Sequence, residues 1–198
     1  MIAGEFRRRV LTAPRGMTTR PTSDRLRETL FNVLSPRIAE ARFLDLYAGS
    51  GAVGIEALSR GAAEAVFVEK SPAVVKVIRE NLEKLGLRDR ARVHAAGVGT
   101  FLRSSTAVFD VVFLDPPYEA EEEYAATLGY IGGPGCDPGF QNRAPGNPAT
   151  VVGMLAKGSV VVVEHRRKDR LDERFGVLVR TRVLEQGDAA LSFYAVES

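Results

Sequence analysis

From residue 43 onward, short apolar runs alternate with longer segments whose apolar residues recur every three or four positions. The short runs predict β-strands, the longer segments predict helices, and the connections between them are brief. This alternation favours an α/β fold with a doubly wound, mainly parallel sheet. Seven strands are predicted, at residues 43–46, 65–68, 92–94, 110–114, 160–163, 177–183 and 191–196, the last two as an antiparallel pair.

The length and composition fit one soluble, cytoplasmic domain. A chain of 198 residues buries enough surface to fold without a disulfide or a structural metal. Cys136 is the single cysteine, and the two histidines, His94 and His165, give no metal-ligand spacing. We therefore expect no disulfide, no metal site and, since no apolar run reaches the length of a membrane span, no membrane association. We expect a monomer.

Positive charge is concentrated in the first part of the chain. Residues 1–42 hold nine arginines, no lysine and four acidic residues, a net formal charge of +5, although the whole chain carries only +2. Guanidinium groups bind phosphate through paired hydrogen bonds and stack on bases, so this asymmetry indicates a polyanionic partner. The alternative interpretation is a solvated helix surface laced with stabilising ion pairs.

The sequence also predicts how the chain is divided. Residues 1–20 predict a basic N-terminal arm or small hairpin, and residues 21–198 predict the main domain. Thr22 or Ser23 is expected to cap a helix that reaches Leu34, and Pro36 to help end it. Residues 129–150 are rich in glycine and hold four of the ten prolines, so they predict a long, flexible insertion.

The first chemical motif follows the first predicted strand and reads Asp45-Leu-Tyr-Ala-Gly-Ser-Gly-Ala-Val-Gly54. Its glycines let the backbone approach a ligand, and the helix that starts there presents unpaired N–H groups. Glu69 ends the second strand, where its carboxylate can accept hydrogen bonds from both hydroxyls of a ribose. These features predict a cofactor that contains adenosine. The glycines also match the dinucleotide fingerprint, so a nicotinamide cofactor and S-adenosylmethionine both stay open here.

The motif Asp115-Pro-Pro-Tyr118 follows the fourth predicted strand and decides between these cofactors. The Asp115 carboxylate and the Pro116 carbonyl can each accept a hydrogen bond from an exocyclic amino group, and the Tyr118 ring can stack on a base. Such a turn, expected beside the glycine loop, orients an amine for direct methyl transfer. The motifs together predict a methyltransferase that uses S-adenosylmethionine and modifies a base.

Five runs of the chain resemble the bacterial 16S ribosomal RNA guanine-N2 methyltransferases: residues 19–34, 43–54, 56–60, 115–118 and 164–165. The resemblance covers nearly the whole chain except residues 129–150. It implies a Rossmann-like class I methyltransferase fold, S-adenosylmethionine as the cofactor, and modification of one guanine of 16S ribosomal RNA in an assembling small ribosomal subunit.

The resemblance also implies roles for particular residues. Catalysis is expected to depend on Asp115, Pro116 and Tyr118. The residues expected at the cofactor are Arg20, Thr22, Asp45, Tyr47, Ala48, Gly49, Ser50, Gly51, Glu69, Lys70 and Gly97. The residues expected to bind RNA are Arg7, Arg8, Arg9, Arg15, Arg25 and Arg27.

Two features keep other hypotheses open. Members of the family often carry Asp or Asn where Gly97 stands, and glycine has no side chain to contact the adenine amino group. The Asp-Pro-Pro-Tyr motif is shared with adenine-N6 methyltransferases of RNA or DNA. A ribosome-assembly factor that binds RNA without catalysis is a further alternative.

His165, after the fifth strand, is expected at the ligand edge of the sheet, where it can touch the substrate.

Overall fold

A computed structural model describes residues 1–13, 23–117, 121–133 and 151–197. The chain divides into two compact units, residues 1–101 and residues 102–198, called here the first unit and the second unit. Among the described residues, no helix has both the length and the apolar character that crossing a membrane requires.

The first unit is built on three parallel strands. The elements along the chain are helix α1 (Asp24–Ile38), strand β1 (Arg42–Leu46), helix α2 (Ala52–Ser59), strand β2 (Glu64–Glu69), helix α3 (Pro72–Lys84), a 3₁₀ turn (Arg88–Arg90), strand β3 (Ala91–Ala95) and helix α4 (Val98–Ser104), which continues into the second unit. Strand β2 lies between β1 and β3, and both pairings are parallel.

Helix α1 begins where the sequence predicts and ends later. The Ser23 hydroxyl accepts a hydrogen bond from the Leu26 N–H at 3.1 Å, which is a regular N-cap. The prediction that Pro36 helps end the helix is wrong, because Pro36 lies inside the last turn and the helix continues to Ile38. Proline removes one N–H donor, but Ile38 is buried, and that burial favours one further helical turn.

The second unit joins a parallel pair of strands to an antiparallel end. Its elements are strand β4 (Phe109–Leu114), helix α5 (Glu121–Gly132) and strands β5 (Val151–Val152), β6 (Leu155–Arg166), β7 (Arg174–Phe175), β8 (Leu178–Gln186) and β9 (Ala189–Val196). Strand β4 pairs with β6 in parallel, whereas β6 with β9 and β9 with β8 are antiparallel.

The predicted seven strands correspond to the seven strands of five or more residues among the described parts of the chain. The predicted closing pair is confirmed as β8 and β9. Two strands of two residues, β5 and β7, were not predicted, since two residues give no periodicity. Helix α5 runs through residues 129–132, which the sequence assigns to the irregular insertion. The rest of that prediction, residues 134–150, lies outside the described residues.

Helix α2 packs unusually close to strand β2, and Gly54 makes this possible. A Cβ atom on Gly54 would lie 2.3 Å from Cε1 of Phe67, a side chain that is fully buried. The third glycine of the motif is therefore needed for the contact between helix and sheet. This contact fixes where helix α2 starts, and so where the glycine loop ends.

We predict that Gly54→Ala lowers the free energy of unfolding by about 1–3 kcal/mol, because the added methyl group overpacks the core against Phe67. The matched control is Gly129→Ala in helix α5, where a Cβ meets no atom within 4 Å. This control is expected to gain about 0.5–1 kcal/mol from helix propensity. Urea unfolding of both variants measures the difference, and equal stabilities would contradict the close packing.

Candidate active site

The predicted cofactor residues of the first unit converge on one edge of its sheet. Because β1, β2 and β3 are parallel, their carboxyl ends meet at the same edge. The glycine loop follows β1, Glu69 ends β2, and Gly97 follows β3 two residues after Ala95. Direct contact confirms that two of these elements meet, since the Gly49 N–H donates to the Glu69 carboxylate at 3.2 Å.

The glycine loop uses left-handed backbone at three positions. Gly49 has φ of 52°, Gly51 has φ of 77°, and Tyr47 has φ of 65° although it carries a side chain. Gly51 is the N-cap residue of helix α2 and, as a glycine, supplies no capping side chain, while the Gly54 N–H of the first turn donates to Asp45. The N-terminal N–H groups of α2 therefore carry the partial positive charge that favours an electron-rich ligand.

Glu69 ties the loop to the sheet. One carboxylate oxygen accepts the Gly49 N–H, and the other accepts the Ser71 N–H at 2.7 Å. Each oxygen has a further lone pair, so the carboxylate can still accept hydrogen bonds from a ligand. The side chain is thus held at the loop by backbone contacts before any ligand arrives.

Asp45 lies beneath the loop and is buried. Its Oδ2 atom accepts the Gly54 N–H at 2.9 Å. Burial raises the pKa of Asp45 to about 8; the Gly54 hydrogen bond opposes this shift, and the negative charge of Glu69 adds to it. A cationic ligand nearby would favour the ionised carboxylate and lower this pKa.

Open space lies beside Gly49 and Gly97, which fits a bound cofactor. A Cβ on Gly97 would meet no atom within 4 Å, and one on Gly49 would meet only the Tyr47 carbonyl oxygen, at 3.9 Å. Of the other predicted cofactor residues, Ala48 is buried, Ser50 is half-buried and Lys70 is exposed. An acidic pair, open glycine backbone and a helix start together suit an adenosine group linked to a cation.

The N-terminal segment, residues 1–13, carries Arg7, Arg8 and Arg9 on a turn, called here the arginine turn. This segment is fixed to helix α2 towards the end away from the glycine loop. Two backbone N–H groups, those of Ile2 and Ala3, donate to the buried Glu56 carboxylate, both at 2.9 Å. The Phe6 N–H donates to the hydroxyl of Ser59, the last residue of α2. No strand forms within residues 1–13, which instead make a series of turns, so this part is not a hairpin.

Arg7, Arg8 and Arg9 are exposed on that turn. Helix α2 has eight residues and is therefore about 12 Å long. The three arginines thus stand roughly that far from the glycine loop. The sequence analysis missed the residues that place them, Glu56 and Ser59. The signal was present as an acidic residue inside an otherwise apolar helix.

Arg25 and Arg27 differ in their surroundings. Arg25 is exposed near the start of helix α1, whereas Arg27 is buried and pairs with Asp24 at 2.6 Å. This is the kind of helix-stabilising pair that the alternative interpretation of the arginines predicts. Among the predicted RNA contacts that the structure describes, Arg27 is therefore the one whose charge is already paired within the fold.

In the second unit, Asp115 and Pro116 follow β4 directly. Asp115 is half-buried, Pro116 is buried and Pro117 is exposed. Parallel pairing aligns Leu114 with Val163 of β6, so Asp115 comes level with Glu164 at the carboxyl edge of this pair. Four predicted site residues, Arg15, Arg20, Thr22 and Tyr118, lie outside the described residues, as does Cys136.

His165 is part of strand β6 and is buried, with both ring nitrogens engaged. Nδ1 lies 2.9 Å from the Arg166 carbonyl oxygen, and Nε2 lies 2.9 Å from the Ser192 hydroxyl. A carbonyl only accepts, so Nδ1 carries the proton and Nε2 accepts from Ser192. Burial lowers the pKa of His165, which keeps the ring neutral. This geometry makes His165 a support within the sheet.

The chain matches known proteins over most of its length. The family model described as "Conserved hypothetical protein 95" matches residues 1–134. The chain is 34% identical over 197 residues to the "Putative rRNA methyltransferase YlbH" of Bacillus subtilis (strain 168), covering 98% of this chain and 97% of that protein. It is 45% identical to the "Ribosomal RNA small subunit methyltransferase D" of Escherichia coli (strain K12) over 118 residues, 60% of this chain and 59% of that one.

A solved structure supports the fold. The chain resembles the "Putative methyltransferase yhhF from Escherichia coli", with a TM-score of 0.78 and 33% identity, covering 100% of this chain and 97% of the other. This likeness, with the parallel strands of both units, confirms the predicted Rossmann-like α/β fold.

His165 gives a prediction about stability. Because its pKa is lowered in the folded protein, the unfolded chain takes up a proton first as the pH falls through about 6.5. The contribution of His165 to the free energy of unfolding is therefore fully present above that pH. It falls below that pH, by at most about 1.4 kcal/mol per pH unit. Denaturant unfolding at about pH 7.5 and 5.5 measures the loss. His165→Gln should remove this part of the pH dependence, and an unchanged dependence would show that other groups cause it.

Proposed function

Because the chain belongs to the family described as "Conserved hypothetical protein 95", whose relatives include named ribosomal RNA methyltransferases, we propose that it is an S-adenosylmethionine-dependent methyltransferase of 16S ribosomal RNA. The methyl group goes to the exocyclic N2 amino group of one guanine. The observation that carries this proposal is the glycine loop held against Glu69, in a chain whose strand β4 is followed in sequence by Asp115-Pro-Pro-Tyr118.

Residues of the first unit hold the cofactor in this proposal. The second lone pairs of the Glu69 oxygens accept the ribose hydroxyls. The loop from Tyr47 to Gly51 and the start of α2 bind the amino-acid portion, and Asp45 contributes negative charge when it ionises. Lys70 and Gly97 border the adenine, and Arg20 and Thr22 lie at the mouth of the site. When bound, S-adenosylmethionine supplies an electrophilic methyl group.

The turn after β4 holds the acceptor amine. The Asp115 carboxylate and the Pro116 carbonyl each accept one N–H of the amino group, which fixes the direction of the nitrogen lone pair. Tyr118 stacks on the base. Most of the acceleration of methyl transfer then comes from the orientation of the amine towards the methyl group. The methylated amine releases its proton to water without a strong base, which agrees with a His165 that is neutral and hydrogen-bonded within the sheet.

RNA contacts extend away from the cofactor loop. Arg7, Arg8 and Arg9 bind phosphates at the far end of α2, and Arg15 and the exposed Arg25 also bind phosphates. Arg27 contributes less, because its guanidinium already pairs with Asp24. The substrate is a folded RNA in an assembling small subunit, which the protein meets as a monomer in the cytoplasm.

Mapping of modified nucleosides tests the proposal. In cells that lack the protein, 16S ribosomal RNA is expected to lose one N2-methylguanosine, and the wild-type gene is expected to restore it. Mass spectrometry of nuclease fragments measures the change. Loss of N6-methyladenosine instead would move the target to adenine, and no loss of any methylated base would contradict the enzymatic assignment.

The Asp115→Ala variant separates catalysis from binding. We predict no restoration of the methylated base, because one of the two acceptors for the amine is lost, while the Kd for S-adenosylmethionine by calorimetry stays within a few fold of wild type. A large loss of cofactor binding in this variant would mean that Asp115 belongs to the cofactor site.

Gly97 offers a gain-of-affinity prediction. An aspartate fits there, since a Cβ meets no atom within 4 Å and Gly97 is not among the residues with positive φ. One new hydrogen bond from the adenine amino group to a carboxylate, about 1.5 kcal/mol, should tighten S-adenosylmethionine binding about tenfold in Gly97→Asp. Gly97→Ala, the control, should bind as wild type does. Equal affinities for all three proteins would place the adenine elsewhere.

A further inference from the structure

A cationic turn stands at the same sheet edge as Asp115, and none of its residues is among the predicted RNA contacts. Asp115 is level with Glu164, and strand β6 continues beyond that level to Arg166. Strand β9 accompanies β6 to its end, with Arg166 opposite Ala189. The chain turns immediately after Arg166, and this turn, residues 166–169, is called here the β6 turn.

Five hydrogen bonds fix the β6 turn. The Asp169 N–H donates to the Arg166 carbonyl oxygen at 2.9 Å, and the Arg166 Nε donates to both carboxylate oxygens of Asp169, at 3.1 and 2.9 Å. The Arg167 N–H donates to the Asp188 carbonyl oxygen at 2.8 Å. His165 supports the same carbonyl of Arg166 through Nδ1. The two central residues, Arg167 and Lys168, are thus presented on a preorganised turn.

Three basic side chains lie on the β6 turn or directly after it. Arg167, Lys168 and Arg170 are exposed, and none of them forms an ion pair within the described residues. Their neighbours behave differently, because Arg166 pairs with Asp169 and Arg180 pairs with Glu173.

Acidic side chains are also present near the turn. Glu185 and Asp188 are exposed on the hairpin that joins β8 to β9, and they offset part of the positive charge. Asp169 adds no free negative charge, since its carboxylate is held by Arg166. Asp172, two residues after Arg170, is a third exposed acid. The positive charge available here is therefore that of the three unpaired cations themselves, and not a net excess over the neighbouring acids.

We propose that Arg167, Lys168 and Arg170 bind the phosphates of the RNA strand that flank the target base. Lys168 comes four residues after Glu164, which is at most about 14 Å of chain, and neighbouring strands lie only about 4.8 Å apart. The three cations are therefore close enough to Asp115 to hold the backbone on either side of a base whose amine that residue binds. Arginine and lysine on a fixed turn suit this task, because less side-chain and loop ordering remains to be done on binding.

This inference rests on the proposed function and deepens it. The arginines of the N-terminal turn stand at the end of α2 away from the glycine loop, so they hold RNA at a distance from the cofactor. The β6 turn supplies phosphate contacts beside Asp115, which binds the amine of the target base. The sequence signal was the run Arg-Arg-Lys-Asp-Arg at residues 166–170, directly after a buried strand.

The test replaces the three cations in full-length protein with Arg167→Gln, Lys168→Gln and Arg170→Gln together. The probes are transcribed 16S ribosomal RNA and small subunits isolated from cells that lack the protein. We expect RNA binding about 10–100-fold weaker at moderate salt. The slope of log affinity against log salt should flatten by about 2, as for loss of three phosphate contacts on a single strand. The Kd for S-adenosylmethionine and the kcat at saturating RNA should stay near wild type.

Two controls sharpen the result. Lys157→Gln removes an exposed cation near the other end of the same strand and should leave RNA binding and its salt slope unchanged. The variant with Arg167→Lys and Arg170→Lys keeps the charge and should keep the slope.

An unchanged slope in the triple glutamine variant would overturn the inference. So would weaker binding to isolated subunits with unchanged binding to protein-free RNA, because the turn would then contact a ribosomal protein. If wild-type protein methylates guanine while the triple variant matches it in every measurement, this inference fails alone. If wild-type protein neither binds RNA nor restores the methylated base, the proposed function itself fails.

Discussion

Asp45 and Glu69 hold the glycine loop by accepting hydrogen bonds from its backbone. The Gly54 N–H reaches Asp45 at 2.9 Å, and the Gly49 N–H reaches Glu69 at 3.2 Å. These contacts fix both ends of the loop against neighbouring parallel strands. Burial and, to a smaller extent, repulsion from the negative charge of Glu69 raise the pKa of Asp45. A loop closed in this way is ready for a ligand whose positive charge relieves the repulsion.

Helix α2 connects the glycine loop to the N-terminal segment. Its first turn ends the glycine loop, and its buried Glu56 binds two backbone N–H groups of that segment as well as the Arg60 side chain. A buried carboxylate is tolerable only when its lone pairs are used in this way. One helix of eight residues therefore positions both the candidate cofactor loop and the arginine turn, at opposite ends.

In the second unit, buried polar groups likewise fix the conformation of an exposed turn at the edge of the sheet. His165 and Ser192 form a neutral buried pair between β6 and β9, and the free N–H of the ring supports the Arg166 carbonyl. The Arg166–Asp169 pair then closes the turn. Buried polar groups here give a defined shape to a segment that presents charge to solvent. His165, which the sequence analysis expects to be able to touch the substrate, is instead hydrogen-bonded within the sheet and supports the turn that follows.

The sequence by itself determined the order and type of the elements and the chemistry of the two motifs, because periodicity, glycine and proline act locally. It therefore predicts the strands that hold or precede Asp45, Glu69 and Asp115, and the antiparallel pair at the end of the chain. Helix α1 shows the limit of such local signals, because it continues past Pro36 to Ile38, whose burial favours the longer helix. Only the tertiary structure decided that Glu69 meets Gly49, that Glu56 anchors the N-terminal segment and that Arg27 is paired while Arg167 is not. These contacts join residues far apart in sequence or depend on burial, and neither is encoded in a local pattern.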